Sequence, residues 1–239
     1  MITKAADYDR RRAKYIPVSA RLREVFGFPE WRPFLPPLDE LIDCILSQST
    51  NDRNRDRAFD ALKTQFTDWE AVMTAPVESV IAAIRPAGLA NQKAPRIQHV
   101  LRTIYAERGE LNIDFLNELP LEAARAWLMK LEGVGPKTAA IVLCFAFMRP
   151  AFPVDTHIHR VGQRIGFLPE GISADKAHPL MESIVPPEDH FAFHLNLIRL
   201  GREICTARRP YCERCPLTEF CDFYQQFKPA SSTPNGSIG

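Results

Sequence analysis

Lys137 stands in the run Leu131-Glu132-Gly133-Val134-Gly135-Pro136-Lys137-Thr138-Ala139, and Asp155 follows in Val154-Asp155-Thr156-His157. Two glycines and a proline just ahead of a helical pattern predict a tight turn. The first turn of a helix leaves main-chain N–H groups without partners, so such a turn can hold an anion such as phosphate. Lys137 falls in that first turn. There the positive end of the helix dipole disfavours the ammonium and helps supply the neutral amine that a nucleophilic lysine requires. A carboxylate is the natural partner of such an amine, and Asp155 is the candidate. Each residue also has a plainer assignment: Lys137 as a phosphate contact, Asp155 as the N-cap of a helix beginning near Thr156.

A second chemical group lies near the end of the chain. Of six cysteines, Cys205, Cys212, Cys215 and Cys221 form the spacing Cys-x6-Cys-x2-Cys-x5-Cys. Four thiolates in one short loop can surround a single metal centre, and a 4Fe-4S cluster is commonly held by four cysteines. Zinc is the main rival, although common zinc sites pair two Cys-x2-Cys knuckles and this loop has one. Disulfides fit poorly with a chain that shows no export signal. Cys44 and Cys144 lie inside apolar helical stripes, where a free cysteine behaves as a small hydrophobe. Arg202, Arg208, Arg209 and Arg214 interleave with the four ligands and offer guanidinium groups suited to phosphate.

The elements that must position these groups read as helices. Leu38, Leu41, Ile42, Ile45 and Leu46 follow the spacing of one buried helix face. Phe59, Leu62 and Phe66 make another such stripe, as do Val77, Val80, Ile81 and Ile84, and Ile97, Val100, Leu101 and Ile104. Further stripes run through 121–131, 139–147, 158–165 and 194–200. Strand-like alternation is nearly absent. Prolines from Pro33 to Pro187, Pro95 among them, punctuate the pattern and predict short helices joined by tight turns. The small, polar residues at 229–239 read as a disordered tail.

At 239 residues the chain is long enough for one large domain or two small ones. Its formal net charge of +1 does not by itself announce a polyanion partner. Any nucleic-acid footprint must then be local, with candidates at Arg10-Arg11-Arg12 and Lys14, at Arg53, Arg55 and Arg57, and among the arginines of the cysteine loop. No segment has the length and apolarity of a membrane span, and the charged start has no apolar stretch behind it. A cytoplasmic protein without a membrane partner is expected, nucleoid-associated in a prokaryote.

The run at 131–139, Val-Asp-Thr-His at 154–157 and the four-cysteine loop, in that order, resemble the endonuclease III family of DNA glycosylases, in the helix-hairpin-helix superfamily. The resemblance covers about 38–221. It implies an all-α, two-lobed helix-hairpin-helix DNA glycosylase fold. A six-helix barrel domain would occupy 31–150, an iron-sulfur helical domain 1–30 and 151–228, with DNA in a groove between the lobes. It further implies that Lys137 attacks C1′ of a damaged nucleotide, with Asp155 across that groove helping to activate it and to stabilise positive charge on the sugar. Strand cleavage by β-elimination would follow, giving a bifunctional glycosylase and abasic-site lyase of base excision repair acting on oxidised pyrimidines such as thymine glycol.

The same resemblance assigns the remaining roles. Gly133, Val134 and Gly135 would bind backbone phosphate through main-chain N–H groups. Leu89, in the segment 88–94, would be the wedge that enters the base stack when a nucleotide is extruded. Gln48 would fill the vacated gap, although family members often carry a glutamine where this chain has Ser49; Asp52 would lie near the lesion pocket. Cys205, Cys212, Cys215 and Cys221 would hold a 4Fe-4S cluster of structural role. The partner would be double-stranded DNA with damaged bases or abasic sites, bound by a monomer. Two other functions stay open: a monofunctional mismatch or adenine glycosylase, whose members usually lack the hairpin lysine, and a non-catalytic DNA-damage-binding paralogue.

Overall fold

The computed structural model describes residues 4–227, so the tail reading of 229–239 lies outside the described residues. Among them the chain is all-α, with no strand. In chain order the helices are α1 (Lys4–Ala13), α2 (Tyr15–Phe26), α3 (Pro37–Ser47), α4 (Asp52–Gln65), α5 (Trp69–Thr74), α6 (Val77–Ile84), α7 (Ala90–Arg108), α8 (Leu121–Lys130), α9 (Pro136–Ile141), α10 (Thr156–Ile165), α11 (Ala174–Ile184), α12 (His190–Glu203) and α13 (Asp222–Phe227). They fall into two compact units. One is Glu30–Pro153; the other combines the segment up to Pro29 with that from Val154 onward.

The 30–153 unit is built on the apolar stripes. Leu41, Ile42, Ile45 and Leu46 of α3 and Ile97, Val100, Leu101 and Ile104 of α7 are fully buried in one continuous core. Each such side chain contributes about 1.5–3 kcal/mol relative to exposure. Local chemistry fixes the helix ends. Pro37 sits at the start of α3, where its missing N–H costs nothing, with Asp39 and Glu40 in the first turn. Asn51 caps α4 by accepting from Asn54 N–H at 3.0 Å, and Asp68 caps α5 by accepting from Ala71 N–H at 2.7 Å. The buried Asp39 ties three helices together, accepting from Trp69 Nε1 at 2.6 Å and Lys63 Nζ at 3.0 Å.

Two local features depart from the sequence expectation. Pro95 does not end a helix; α7 runs through it. It lies in the second turn, so the one hydrogen bond lost falls near the helix start. The stripe at 139–147 is not one regular helix either: α9 passes into a π-helical turn at Val142–Ala146. Trp31 Nε1 donates to Cys144 O and Phe145 O, both at 3.1 Å, and Arg149 N–H donates to Leu143 O at 2.8 Å, so the widened turn keeps partners for its carbonyls.

In the other unit α10 packs closely on α12. A Cβ on Gly201 would come within 3.0 Å of His157 Cβ, so a larger residue would push the two helices apart. Around Phe193, the rings of Tyr15 and Phe167 pack edge-on at centroid distances of 5.3 and 5.9 Å. Asp189 accepts from Tyr15 Oη and the Arg23 guanidinium. Much of the basic N-terminal run turns inward within this unit. Arg11 Nη1 donates to Gly166 O at 2.9 Å, Lys14 Nζ donates to Ile165 O and Phe220 O at 2.8 Å each, and Asp222 accepts from both Arg10 and Lys14. The end of α10 presents carbonyls without intrahelical partners and a negative dipole end, and these recruit the cations.

Candidate functional site

In the 30–153 unit α8 and α9 flank the hairpin. Val134 anchors it: its side chain is buried in the core and its N–H donates to Leu131 O at 3.1 Å. The two glycines differ in what requires them. Gly133 has φ +77°, the left-handed region that favours glycine, and a Cβ there would lie 2.3 Å from Arg96 Cδ and displace that side chain. Gly135 has φ −96° and open space where a Cβ would stand, so the fold itself does not demand glycine at that position. A backbone left bare beside open space permits close approach by another chain. Lys137, second residue of α9, is exposed.

On α3, which packs against α9, lie two acids, Glu40 buried and Asp43 partly buried. Burial, then the neighbouring Asp43, pushes the Glu40 carboxyl up from 4.5 to about 7. Burial also pushes Asp43 up to about 6, against the opposing charge of Arg55, whose Nε lies 3.3 Å from Asp43 Oδ1. Cys44 Sγ contacts Glu40 Oε1 at 3.8 Å, and its thiol is pushed up by burial and by both acids while Lys137 and Arg55 pull it down. The fields of Lys137 and the acidic group therefore overlap at Cys44. The sequence stripe showed Cys44 as core; the two acids beside it went unnoticed because they share a helix with that stripe.

Gln48 and Leu89 belong to two loops of the same unit. The Gln48 side chain donates to Gly133 O at 2.9 Å and accepts from Arg96 Nη1 at 3.3 Å, which joins the turn after α3 to the hairpin. Ser49 is exposed and left-handed, at φ +54°. Leu89 is 50% exposed and also left-handed, at φ +51°. Of the segment 88–94, only Gly88 and Leu89 form the loop, since α7 begins at Ala90. Lys93, read in the sequence as part of that loop, is buried. Asp52 opens α4 and is exposed.

In the other unit Asp155 caps α10, its Oδ1 accepting from Ile158 N–H at 2.7 Å. Capping holds the carboxylate in one orientation and does not preclude a second role. The four cysteines of the 205–221 loop line one cavity with Arg164, Ile204, Tyr211 and Phe223. Among the described residues no three metal-binding side chains converge as a single ion requires. Four thiols lining one cavity are a donor set that fits an iron-sulfur cluster. Their electrostatics suit a cationic centre: burial pushes Cys215 up to about 11, and neighbouring thiols add to the upward push on Cys212, Cys215 and Cys221. Thiols this reluctant to ionise need positive charge to become ligands, which iron supplies.

The loop hangs on arginines that sequence reasoning passed over. Arg164 donates to Cys205 Sγ at 3.3 Å, to Thr206 O at 2.8 Å and to Ala207 O at 3.0 Å, with its guanidinium 5.0 Å from the centre of the Phe223 ring. Arg160 donates to Cys205 O at 3.1 Å and to Gly201 O at 2.9 Å. Both lie on the polar side of α10, where nothing local in the sequence marks them as braces for a loop some forty residues on. Arg214, expected to face phosphate, donates to Glu203 O at 2.8 Å and stacks on Tyr211 at 4.5 Å.

Residues 42–187 match the HhH-GPD superfamily of base excision DNA repair proteins, and residues 205–221 match the iron-sulfur binding domain of endonuclease III. The chain belongs to the HhH-GPD superfamily. Within it, the protein is a member of the endonuclease III-like family of DNA glycosylase/AP lyases, with an iron-sulfur cluster as its cofactor. Endonuclease III of Thermotoga maritima is 32% identical over 199 residues, covering 83% of this chain and 89% of that protein. A longer Arabidopsis thaliana protein that carries the name of a DNA glycosylase is 34% identical over 195 residues; these span 77% of this chain and 66% of the plant protein. A solved structure of endonuclease III trapped covalently with DNA is 28% identical, with a TM-score of 0.78, covering 90% of this chain and 97% of that one.

Proposed function

We propose that this glycosylase is bifunctional, excising oxidised pyrimidines such as thymine glycol from duplex DNA and then cutting the strand at the resulting site. The observation that carries the reading is Lys137: an exposed amine at the start of α9, directly after the hairpin, in a chain of the endonuclease III-like family. The neutral Nζ attacks C1′, the C1′–N bond breaks and the base departs as that bond's electron pair moves onto it. Opening of the sugar ring gives a Schiff base between Nζ and C1′. The imine acidifies the C2′ hydrogen; loss of that proton expels the 3′ oxygen and breaks the strand. Asp155 assists by accepting the proton from the amine and by stabilising positive charge on the sugar.

Gly133 and Gly135 hold backbone phosphate, while Leu89 and the Gln48–Ser49 turn enter the duplex where the nucleotide is extruded. Cys205, Cys212, Cys215 and Cys221 hold the iron-sulfur cluster, whose contribution is to fix the 204–221 loop. The enzyme acts as a monomer on double-stranded DNA containing damaged bases or abasic sites, in the cytoplasm. Support comes from the covalent DNA intermediate of the related endonuclease III and from the family match.

The test is a single-turnover lesion panel. Wild type releases base from thymine glycol duplexes and cuts the strand, whereas Lys137→Ala binds the same duplexes and cuts none. Base release without cleavage by wild type would indicate a monofunctional glycosylase, and neither activity would indicate a DNA-binding paralogue.

A further inference from the structure

We propose that Lys93 is a positioning residue, whose buried ammonium locks the wedge loop and the Gln48–Ser49 turn together so that they meet DNA as one preformed element. The inference rests on the reading that Leu89 and this turn enter the duplex.

Lys93 is 1% exposed, and the oxygens that receive its ammonium are main-chain carbonyls: Leu46 O at 2.7 Å and Ala87 O at 2.9 Å. Leu46 lies in the last turn of α3, where carbonyls lack intrahelical donors and the dipole end attracts a cation. Ala87 closes the short 3₁₀ turn Arg85–Ala87. One ammonium thus grips the chain three residues before Ser49 and two residues before Leu89. Both residues are left-handed without being glycine, at φ +54° and +51°; Met148, at φ +52°, is the third such residue among those described. Such a conformation is unfavourable for a residue with a side chain and persists only where the surroundings fix it.

The next turn of α7 adds a second brace. Arg96 donates to Gln48 Oε1 at 3.3 Å, its stem covers Gly133, and Gln48 in turn donates to Gly133 O at 2.9 Å. The start of α7 therefore pins three loops, of which Lys93 secures the two that carry left-handed residues. A bare ammonium in an apolar core is costly, and burial lowers its affinity for a proton. An apolar side chain would fill the space without that cost, but it would leave both carbonyls unpartnered.

Lys93→Met keeps most of the stem and removes the charge. With thymine glycol duplexes carrying 2-aminopurine beside the lesion, the expected result is loss of the fluorescence rise on binding. Base release should slow about tenfold or more. Cleavage at an abasic site in single-stranded DNA, where no base stack is opened, should stay within about twofold of wild type, and Lys93→Arg should recover part of the duplex rate. Equal duplex rates in Lys93→Met and wild type would overturn the proposal, as would equal losses on both substrates. Wild type inactive on every substrate would instead sink the functional reading beneath it.

A measurement independent of that variant's folding uses Ser49→Gly, which relieves one left-handed residue. Hydrogen exchange should change at 88–91 as well as at 47–51 if the loops are coupled. A change confined to 47–51 would contradict the coupling.

Discussion

In the 30–153 unit the loops carrying Gln48 and Leu89 and the hairpin before Lys137 rise from a continuous apolar core, whereas in the other unit the cysteine loop hangs on guanidinium groups that grip main-chain carbonyls. Around the first set of loops, buried charge is sparse and local: Lys93 on two carbonyls, Glu40 and Asp43 beside Arg55. Around the second, polar bonds carry much of the assembly, and in the proposed structural role the iron-sulfur cluster would be the remaining fastener. An apolar core tolerates loss of a peripheral bond, because burial is distributed over many side chains. A loop held by a metal centre and a few guanidinium bonds does not, because its folding free energy is concentrated in the centre.

The sharpest way to break this contrast is to remove the iron. Oxidative disassembly of the cluster in the intact protein should abolish its visible absorbance and cost on the order of several kcal/mol of stability in the cysteine-bearing unit. Hydrogen exchange should then show α13 and the 204–221 loop losing protection while α7 keeps its own. Simultaneous loss in α7 would mean that the units do not stand on separate footings.

The second prediction concerns pH. Glu40 holds its proton more tightly folded than unfolded, with a pKa raised from 4.5 to about 7. Its effect on stability is therefore absent below the unfolded value, and stability falls as pH rises through about 7. The loss is on the order of 3 kcal/mol from Glu40, with Asp43 adding in the same direction up to about 6. Glu40→Gln should flatten the urea-midpoint profile across that window and be the more stable protein at pH 8. An unchanged profile would show that Glu40 is already solvated or fully compensated.

The smallest effect is expected at Arg10. Its pairing with Asp222 joins side chains 44% and 34% exposed, so Arg10→Ala should change stability by less than about 1 kcal/mol. The salt dependence of DNA affinity should also be unchanged. A shallower slope would restore the N-terminal run as a phosphate contact.

The sequence carried the helical stripes because burial on one face leaves a local period, and Leu41 to Leu46 and Ile97 to Ile104 are buried as that period requires. It carried the grouping of the four cysteines around one cavity because thiols close together in the chain need no tertiary information to be seen. The braces were hidden for the converse reason. Lys93 meets carbonyls six and 47 positions away, and Arg164 meets carbonyls more than forty positions away, so nothing in their neighbours' types distinguishes them from solvated cations. Arg10, Arg11 and Lys14 looked like a phosphate-binding run because charge density is legible while its partners, the Asp222 carboxylate for Arg10 and main-chain carbonyls for Arg11 and Lys14, are not. The π-helical turn after α9 escaped for a geometric reason, since one wide turn scarcely alters an apolar stripe.

Borohydride reduction of the enzyme mixed with abasic-site duplex DNA would capture the imine between Lys137 and the sugar. Wild type should yield a covalent protein-DNA adduct whose peptide map places the link at Lys137, and Lys137→Ala should yield none while still binding the duplex. An adduct of equal yield in Lys137→Ala, or none with wild type, would contradict the account.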